Sequence, residues 1–365
     1  MASPSTDKLP AWTWILPLLA VLVLVAKQFV EINAVLLAFA VVFLGAAVFS
    51  AVHHAEVIAH RVGEPFGTLV LAVAVTVIEV ALIVSVMLTG GPEKAALARD
   101  TVFAAVMIVC NGIVGICLLA GGIRHREQGF QIQGASAALA VLASLAVLTL
   151  VLPNYTSTVP GPYLSPSQLI FAGIVSLILY GTFVFVQTVR HRHYFLPEET
   201  QATTDDDATA PRPTGKMTLA SSVLLLVSLL AVVGLAKTLS PSIERAVQSM
   251  GAPDALVGVV IAALVLLPEG TAALRSARAD RLQISLNLAL GSALASIGLT
   301  IPTVAFLFVA IHQPLVLGLE PKETVLLALT LFTGVITLGT GRTTVLQGVV
   351  HFVLFLVFLF LSIVQ

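Results

Sequence analysis

Charged residues are scarce in this chain of 365 residues: only 10% are Asp, Glu, Lys or Arg, whereas 58% are hydrophobic. A soluble globular domain carries about 25% charged residues. The low charge and the mean hydropathy of +1.03 therefore exclude a water-soluble core and indicate a protein that spans a lipid bilayer. The net charge of −1 and the absence of a basic run give no indication of nucleic-acid binding.

Cysteine is also scarce, and common catalytic motifs are missing from the apolar segments. Cys110 and Cys117 are the two cysteines, and their spacing of seven places both on one face of a predicted membrane helix. This arrangement argues against a disulfide between them and gives no metal-binding pattern, so we interpret both as packing residues. Because no membrane segment carries a His-Glu-x-x-His or Gly-x-Ser-x-Gly motif, we expect no catalytic residues, no cofactor and no enzymatic activity.

Long apolar runs separated by short polar breaks predict an all-α polytopic membrane protein with eleven transmembrane helices. The predicted spans are 11–30, 32–54, 66–90, 99–122, 131–152, 165–189, 217–239, 254–274, 282–311, 322–340 and 343–364. We interpret the first run as a membrane helix and not as a cleaved signal peptide, because no clear cleavage site follows it. The second span is expected to continue past the bilayer through His53, His54 and Glu56.

The distribution of basic residues between loops predicts the orientation. A cytoplasmic N-terminus and an outer C-terminus place most Lys and Arg residues on the inner side, as the positive-inside rule requires. The polar segment 191–216, which contains Glu198, Glu199 and the run Asp205-Asp206-Asp207, is then a cytoplasmic linker. We interpret it as flexible, with an acidic regulatory or cation-attracting role as the alternative.

The number of helices predicts an internal repeat. Without the N-terminal tail and first helix (1–31), five spans precede the linker (32–190) and five follow it (217–365). Because five is odd, the two units would have opposite orientations, as in inverted-repeat transporters, whose ion sites lie near the midplane between the repeats. The third and eighth spans would correspond, and each carries a buried glutamate, Glu79 and Glu269.

These two glutamates are the residues most indicative of function. A carboxylate at membrane depth costs about 2.5–3.5 kcal/mol on insertion scales, so it is rarely present without a role. Two carboxylates suit a hard cation such as Ca²⁺, which takes about six to eight oxygen ligands. Candidate additional ligands are Thr76, Asn111, Asn287 and Ser292. Hydrogen bonds between helices are the alternative role for these polar side chains and for a protonated glutamate.

The same carboxyl groups can take up protons, because removal from water favours the neutral form and a bound cation favours the ionised form. Cation and proton would then compete for one site, and this competition is sufficient for obligatory exchange. Glu56 and His53, near the inner end of the second span, are candidates for the proton and cation access pathway. Alternatively, Glu56 pairs with Arg61 and His53 lies at the interface. His351, isolated in the last span, is expected to form a helix–helix hydrogen bond.

Two stretches resemble a known family. Residues 55–79, AEVIAHRVGEPFGTLVLAVAVTVIE, and residues 289–293, ALGSA, followed by Pro302, resemble the cation exchanger family of calcium/proton antiporters, within the calcium/cation antiporter superfamily. The resemblance implies eleven helices, an acidic linker after the sixth, and an inner-membrane location. The family's Gly-Asn before each glutamate is Val75-Thr76 and Val265-Leu266 here. This pattern is similar to the bacterial branch, which exchanges Na⁺ or K⁺ as well as Ca²⁺ for protons.

Other functions of the chain stay open at this level. One is a Na⁺(K⁺)/H⁺ antiporter with little Ca²⁺ selectivity, and another is a sodium-driven calcium exchanger. A cation channel would need a continuous polar lining, whereas the third and eighth spans carry one charge each. The expected partners are the transported ions and the lipid bilayer, and a homo-oligomer is compatible with the sequence.

Overall fold

The chain is almost entirely helical in the parts that the structure describes. A computed structural model describes residues 9–29, 33–63, 66–196, 213–249, 251, 253 and 255–364. The helices are α1 (Ala11–Ala26), α2 (Ala34–Val62), α3 (Phe66–Gly90), α4 (Leu97–Met107), α5 (Val114–His125), α6 (Ile132–Ala146), α7 (Pro166–Phe185), α8 (Gly215–Ser249), α9 (Ala255–Arg278), α10 (Leu282–Ala295), α11 (Ile301–Ala310), α12 (Pro321–Leu338) and α13 (Val345–Ile363). The strands are β1 (Glu127–Gly129) and β2 (Arg342–Thr344).

These helices form the predicted number of apolar segments. Within the described ranges, ten segments are long and apolar enough to cross a membrane, and α1 is a shorter apolar helix. Two of the ten are composite, because α4 and α5 form one segment, Leu97–His125, and α10 and α11 form another, Leu282–Ala310. The all-α polytopic fold is therefore confirmed, and α3 has the predicted bounds. The helix α2 continues through His53, His54 and Glu56 to Val62, as expected.

In the described part of the chain, four membrane segments contain a π-helical turn, a feature that hydropathy did not predict. The turns are Ile108–Ile113, Val147–Val151, Val186–Arg190 and Ser296–Thr300. A π turn widens the helix locally and is frequent at functional sites. The first and fourth join the two halves of the composite segments Leu97–His125 and Leu282–Ala310.

The remaining differences from the prediction concern the helix ends and the loops. The helix α8 continues past the predicted end at residue 239 to Ser249, with Pro241 inside it, and α9 continues past residue 274 to Arg278. An antiparallel pair of short strands, β1 and β2, was not expected in an all-α chain. Of the predicted linker 191–216, residues 197–212, with all five of its predicted acidic residues, lie outside the described part of the chain.

The helices group into two compact units. The first contains residues 1–86 and 203–246, and the second contains residues 87–202 and 247–365. The first unit thus contains α1, α2 and most of α3 and α8. This grouping does not follow the predicted repeat boundaries, 32–190 and 217–365, which stay a prediction.

Glycines allow close helix packing in the second unit. A methyl group at Gly115 would lie 2.8 Å from the backbone nitrogen of Phe352, and one at Gly122 would lie 2.7 Å from that of Val345. The later position on α5, Gly122, thus contacts the earlier position on α13, Val345. These helices therefore run antiparallel with their backbones in close contact. Small residues at a helix interface are the usual basis of such packing in membranes.

Candidate functional site

Glu79 lies in the first unit, in the middle of α3. Its side chain is 3% exposed and that of Thr76 is 6% exposed. The hydroxyl of Thr76 donates a hydrogen bond to the carbonyl of Ala72 (2.8 Å). This bond directs the hydroxyl proton into the helix and leaves the oxygen lone pairs available. The structure thus places a carboxylate and a hydroxyl oxygen one turn apart in a buried stretch of α3.

Glu269 lies in the second unit, on α9, immediately after Pro268. It is half-buried, and its Oε2 atom is shielded from solvent. Pro268 has no N–H, so it cannot donate to the carbonyl of Leu264 in the preceding turn. The hydroxyl of Thr271 donates to the carbonyl of Pro268 (2.8 Å). The carboxylate therefore lies in a turn with an incomplete backbone hydrogen-bond ladder.

The packing of α9 against the segment Leu97–His125 gives the depth of Glu269. A methyl group at Gly258 would lie 2.9 Å from the backbone nitrogen of Thr101, and one at Gly270 would lie 3.2 Å from the side chain of Ile113. Gly258 precedes Gly270 by twelve residues, and Thr101 precedes Ile113 by twelve residues. The two segments therefore run parallel. Glu269 is therefore level with the π turn Ile108–Ile113, which contains Asn111.

Ser292 lies at the same depth on the other neighbour of α9. The helices α9 and α10 pack against each other and are joined by a short turn around Asp280. Glu269 precedes Asp280 by eleven residues and Ser292 follows it by twelve, so both lie at a similar distance from the turn. Glu269, Asn111 and Ser292 thus lie at one level of the second unit.

Asn287 lies closer to the α9–α10 turn. It is five residues nearer to the turn than Ser292, roughly 7–8 Å along the helix. Its Nδ2 donates to the carbonyl of Phe195 (2.5 Å), and its Oδ1 accepts from Nε2 of Gln283 (3.0 Å). These bonds favour the helix-packing alternative for Asn287, and its role as a ligand stays a prediction.

Asn111 belongs to a buried polar network. Its Nδ2 lies 2.8 Å from Oγ1 of Thr330, and its Oδ1 lies 3.1 Å from Nδ1 of His351. The other ring nitrogen of His351 lies 3.1 Å from Oγ1 of Thr337. All four side chains are at most 4% exposed. The expected helix–helix hydrogen bond of His351 is confirmed, and the sequence analysis did not identify Thr330 and Thr337.

The predicted access residues, Glu56 and His53, lie near the end of α2 in the first unit. Glu56 is exposed, and His53 is half-buried against Trp12, with their ring centroids 5.2 Å apart. Its neighbour His54 is completely buried, with Nε2 2.9 Å from the carbonyl oxygen of Thr13. Because its ring contacts α1 in this way, His54 has a structural role. The access role of Glu56 and His53 stays a prediction.

A buried charged cluster at the start of α4 also escaped the sequence analysis. Arg99 and Asp100 are each 8% exposed and form an ion pair at 2.7 Å, and Arg99 also donates to the carbonyl of Gly318 (2.9 Å). A cavity of about 230 Å³ adjoins them and is lined in addition by Glu323 of α12. The sequence signal for this cluster was an adjacent Arg and Asp at the end of a predicted span. Charged side chains at such a position are normally exposed to solvent, so the signal was not recognised.

The described residues contain no group of three or more His, Cys, Asp and Glu side chains that could hold a metal ion. A cation at either glutamate would therefore take most of its ligands from neutral oxygens. Hydroxyl and amide side chains, backbone carbonyls and water provide such oxygens. The depth of Asn111 and Ser292 is consistent with this requirement.

The composite segments and the two membrane-depth glutamates can be compared with known proteins. Residues 32–189 and 220–364 match the family model described as sodium/calcium exchanger protein. The chain belongs to this family. It is 52% identical to protein y4hA of Sinorhizobium fredii, over 97% of this chain and 96% of the relative. It is 35% identical to the sodium-potassium/proton antiporter ChaA of Escherichia coli, with 94% of each chain covered.

A solved structure shows that the fold of this exchanger is shared. The Ca²⁺/H⁺ antiporter protein YfkE superimposes with a TM-score of 0.71 at 16% identity, covering 97% of this chain and 99% of that chain. At this identity the likeness concerns the fold alone. The family match covers most of both predicted repeats, so the chain is a multi-span membrane exchanger along most of its length.

Proposed function

We propose that this exchanger moves Ca²⁺, and also Na⁺ or K⁺, across the bacterial inner membrane in exchange for protons by alternating access, with Glu79 and Glu269 as the shared cation and proton site. The observation that carries the proposal is a glutamate at membrane depth in both α3 and α9, in a chain 35% identical to a sodium-potassium/proton antiporter. The N-terminus would be cytoplasmic and the C-terminus outside, as the loop charges predict.

Competition at the carboxylates explains the coupling. A bound cation stabilises the ionised carboxylates, and protons stabilise the empty site by neutralising it. An empty site with two ionised carboxylates is costly in a low-dielectric environment, so movement of the site requires either cation or protons. Thr76 near Glu79, and Asn111 and Ser292 at the depth of Glu269, would supply neutral oxygen ligands. Each transport cycle therefore carries one kind of ion in each direction.

A Na⁺(K⁺)/H⁺ antiporter with little Ca²⁺ selectivity is the second candidate. The relationship to the sodium-potassium/proton antiporter favours it, and so does Val75-Thr76 before Glu79, where the calcium/proton exchangers carry an amide. Fewer amide and carboxylate oxygens suit a monovalent cation better than Ca²⁺, which needs a larger set of oxygen ligands.

The test is proton exchange in everted membrane vesicles with an acid interior, followed with a pH-sensitive dye. Ca²⁺, Na⁺ and K⁺ are added one at a time, and each cation that the protein transports should dissipate the pH gradient. We expect Glu79→Gln and Glu269→Gln to lower this exchange more than tenfold, because neither variant can ionise at the site. Glu127→Gln is the matched control, since Glu127 pairs with Arg342 at the surface (3.1 Å), and it should retain exchange.

Each outcome decides between the candidates. A response to Na⁺ and K⁺ without a response to Ca²⁺ would establish the second candidate. Near-normal exchange in either of the two glutamate variants would remove that residue from the shared site. A channel would instead give cation flux that a pH gradient cannot drive uphill.

A further inference from the structure

The buried network of Asn111, Thr330, Thr337 and His351 joins three segments of the second unit. Asn111 lies in the π turn between α4 and α5, the two threonines lie on α12, and His351 lies on α13. Hydrogen bonds of this kind contribute only modestly to membrane-protein stability. Stability alone is therefore a weak reason for four buried polar side chains at this depth.

The sulfur of Met107 determines the orientation of the Asn111 amide. Sδ of Met107 lies 3.9 Å from Nδ2 of Asn111 and 3.4 Å from Oγ1 of Thr330. A thioether sulfur is a weak acceptor and cannot donate, so the amide nitrogen and not the amide oxygen faces it. Nδ2 therefore donates to Thr330, and the hydroxyl of Thr330 donates to the sulfur. The amide oxygen faces His351.

The contact with Asn111 determines the tautomer of His351. The amide oxygen of Asn111 lies 3.1 Å from Nδ1 and can only accept a hydrogen bond. Nδ1 therefore carries the proton and donates. In the neutral ring Nε2 then accepts from the hydroxyl of Thr337.

An amide oxygen has two lone pairs, and the bond from His351 uses one of them. The π turn that carries Asn111 packs against α9, which carries Glu269, and against α10, which carries Ser292. The second lone pair is therefore available at the depth of these two residues. If the amide rotated by half a turn, its NH₂ group would replace the oxygen, and an NH₂ group cannot bind a cation.

We propose that His351 is a positioning residue for cation binding, because its Nδ1–H holds the Asn111 amide oxygen in the orientation in which that oxygen binds the cation at Glu269. Thr337 maintains the required tautomer. His351 itself does not touch the cation. This inference rests on the proposed cation site at Glu269, and it assigns the role of Asn111 and its supporting residues within that site.

Two substitutions of the same residue separate positioning from packing. In His351→Asn the amide nitrogen takes the place of Nδ1 and keeps the donor to Asn111. In His351→Gln the longer side chain reaches the place of Nε2, keeps the contact with Thr337 and removes that donor. We expect an exchange KM for the cation near the wild-type value in His351→Asn. We expect a KM raised about 10-fold or more in His351→Gln, the usual effect of losing a residue that orients a ligand, with a smaller change in kcat.

A second pair of variants keeps the test decisive if either histidine variant fails to fold. Thr337→Val removes the donor to Nε2 and should raise the KM several-fold. Thr337→Ser keeps the hydroxyl, so its KM should stay near the wild-type value. Equal KM values in His351→Asn and His351→Gln, or in Thr337→Val and Thr337→Ser, would overturn the proposal. A fall in kcat without a change in KM would also overturn it. Exchange retained by Glu269→Gln would instead disprove the underlying site, so the two failures are distinguishable.

Discussion

Two helix pairs in the second compact unit have similar backbone geometry and different chemistry. The segment Leu97–His125 packs antiparallel against α13, and the segment Leu282–Ala310 packs antiparallel against α7. Each segment has a π turn in the contact region. In the first pair this turn holds Asn111, bonded to His351. In the second pair it holds Gly298, where a methyl group would lie 2.8 Å from Cβ of Tyr180.

The difference indicates that the π turn sets the geometry and the side chains set the function. A glycine in or next to each turn allows the partner helix to approach closely. Each interface buries polar side chains, Ser176, Ser296 and Thr300 in the second pair, and such groups are costly unless every one is hydrogen-bonded. The first interface differs because its amide and imidazole, Asn111 and His351, bond to each other across the two helices. An interface that needed only to hold helices together could use small hydroxyl side chains, as the second one does. The bonded amide and imidazole therefore contribute more to the proposed function than to the fold.

The largest effect is expected from filling the glycine contacts. In Gly115→Leu and Gly298→Leu the new side chain would displace the partner helix, so each should destabilise the protein by about 3 kcal/mol, the upper end of the usual cost of overpacking. Loss of the monodisperse peak in size-exclusion chromatography after heating measures this change. Gly181→Leu on α7 is the control, because a methyl group there would meet nothing within 4 Å. Tolerance of either leucine would show that the close approach is not required.

An intermediate effect is expected from removing one partner of the polar network. Asn111→Leu leaves the donor of His351 and the hydroxyl of Thr330 without their partner, at a cost of about 1–3 kcal/mol. Ile297→Leu, a volume-conserving change in the other π turn, is the control and should cost less than about 1.5 kcal/mol. The thermal-stability shifts of the two variants, measured in the same detergent, test this difference between the interfaces.

The double variant Asn111→Leu with His351→Phe sharpens the same comparison by removing the bonded amide and imidazole from the first interface. Replacing both partners of a buried hydrogen bond is much less costly than replacing one, so we expect most of the lost stability to return. Cation exchange should stay low, because the amide ligand is gone. Recovery of exchange together with stability would contradict the proposed role of Asn111.

The sequence predicted the helices well and the network poorly, for physical reasons. Bilayer thickness dictates apolar runs of about 20 residues, so the bounds of α3 and the continuation of α2 through His54 followed from hydropathy. The partners of His351 did not, since Asn111 is 240 positions away and a π turn has no signature in hydropathy. Glu79 and Glu269 were identifiable because a charge in an apolar run is conspicuous, whereas the depth of Ser292 relative to Glu269 needed the α9–α10 turn.

The smallest effect is expected at the second interface, between α7 and the segment Leu282–Ala310. Tyr180 is 5% exposed, and its Cβ and ring carbons lie against Gly298. Tyr180→Phe keeps that contact and removes only the hydroxyl, so the change in stability should stay below about 1.5 kcal/mol, with the exchange KM unaltered. The vesicle assay and the heating assay measure both quantities in one preparation. A raised cation KM in Tyr180→Phe would show that the second interface also supports ion binding, and the functional contrast between the two interfaces would then be wrong.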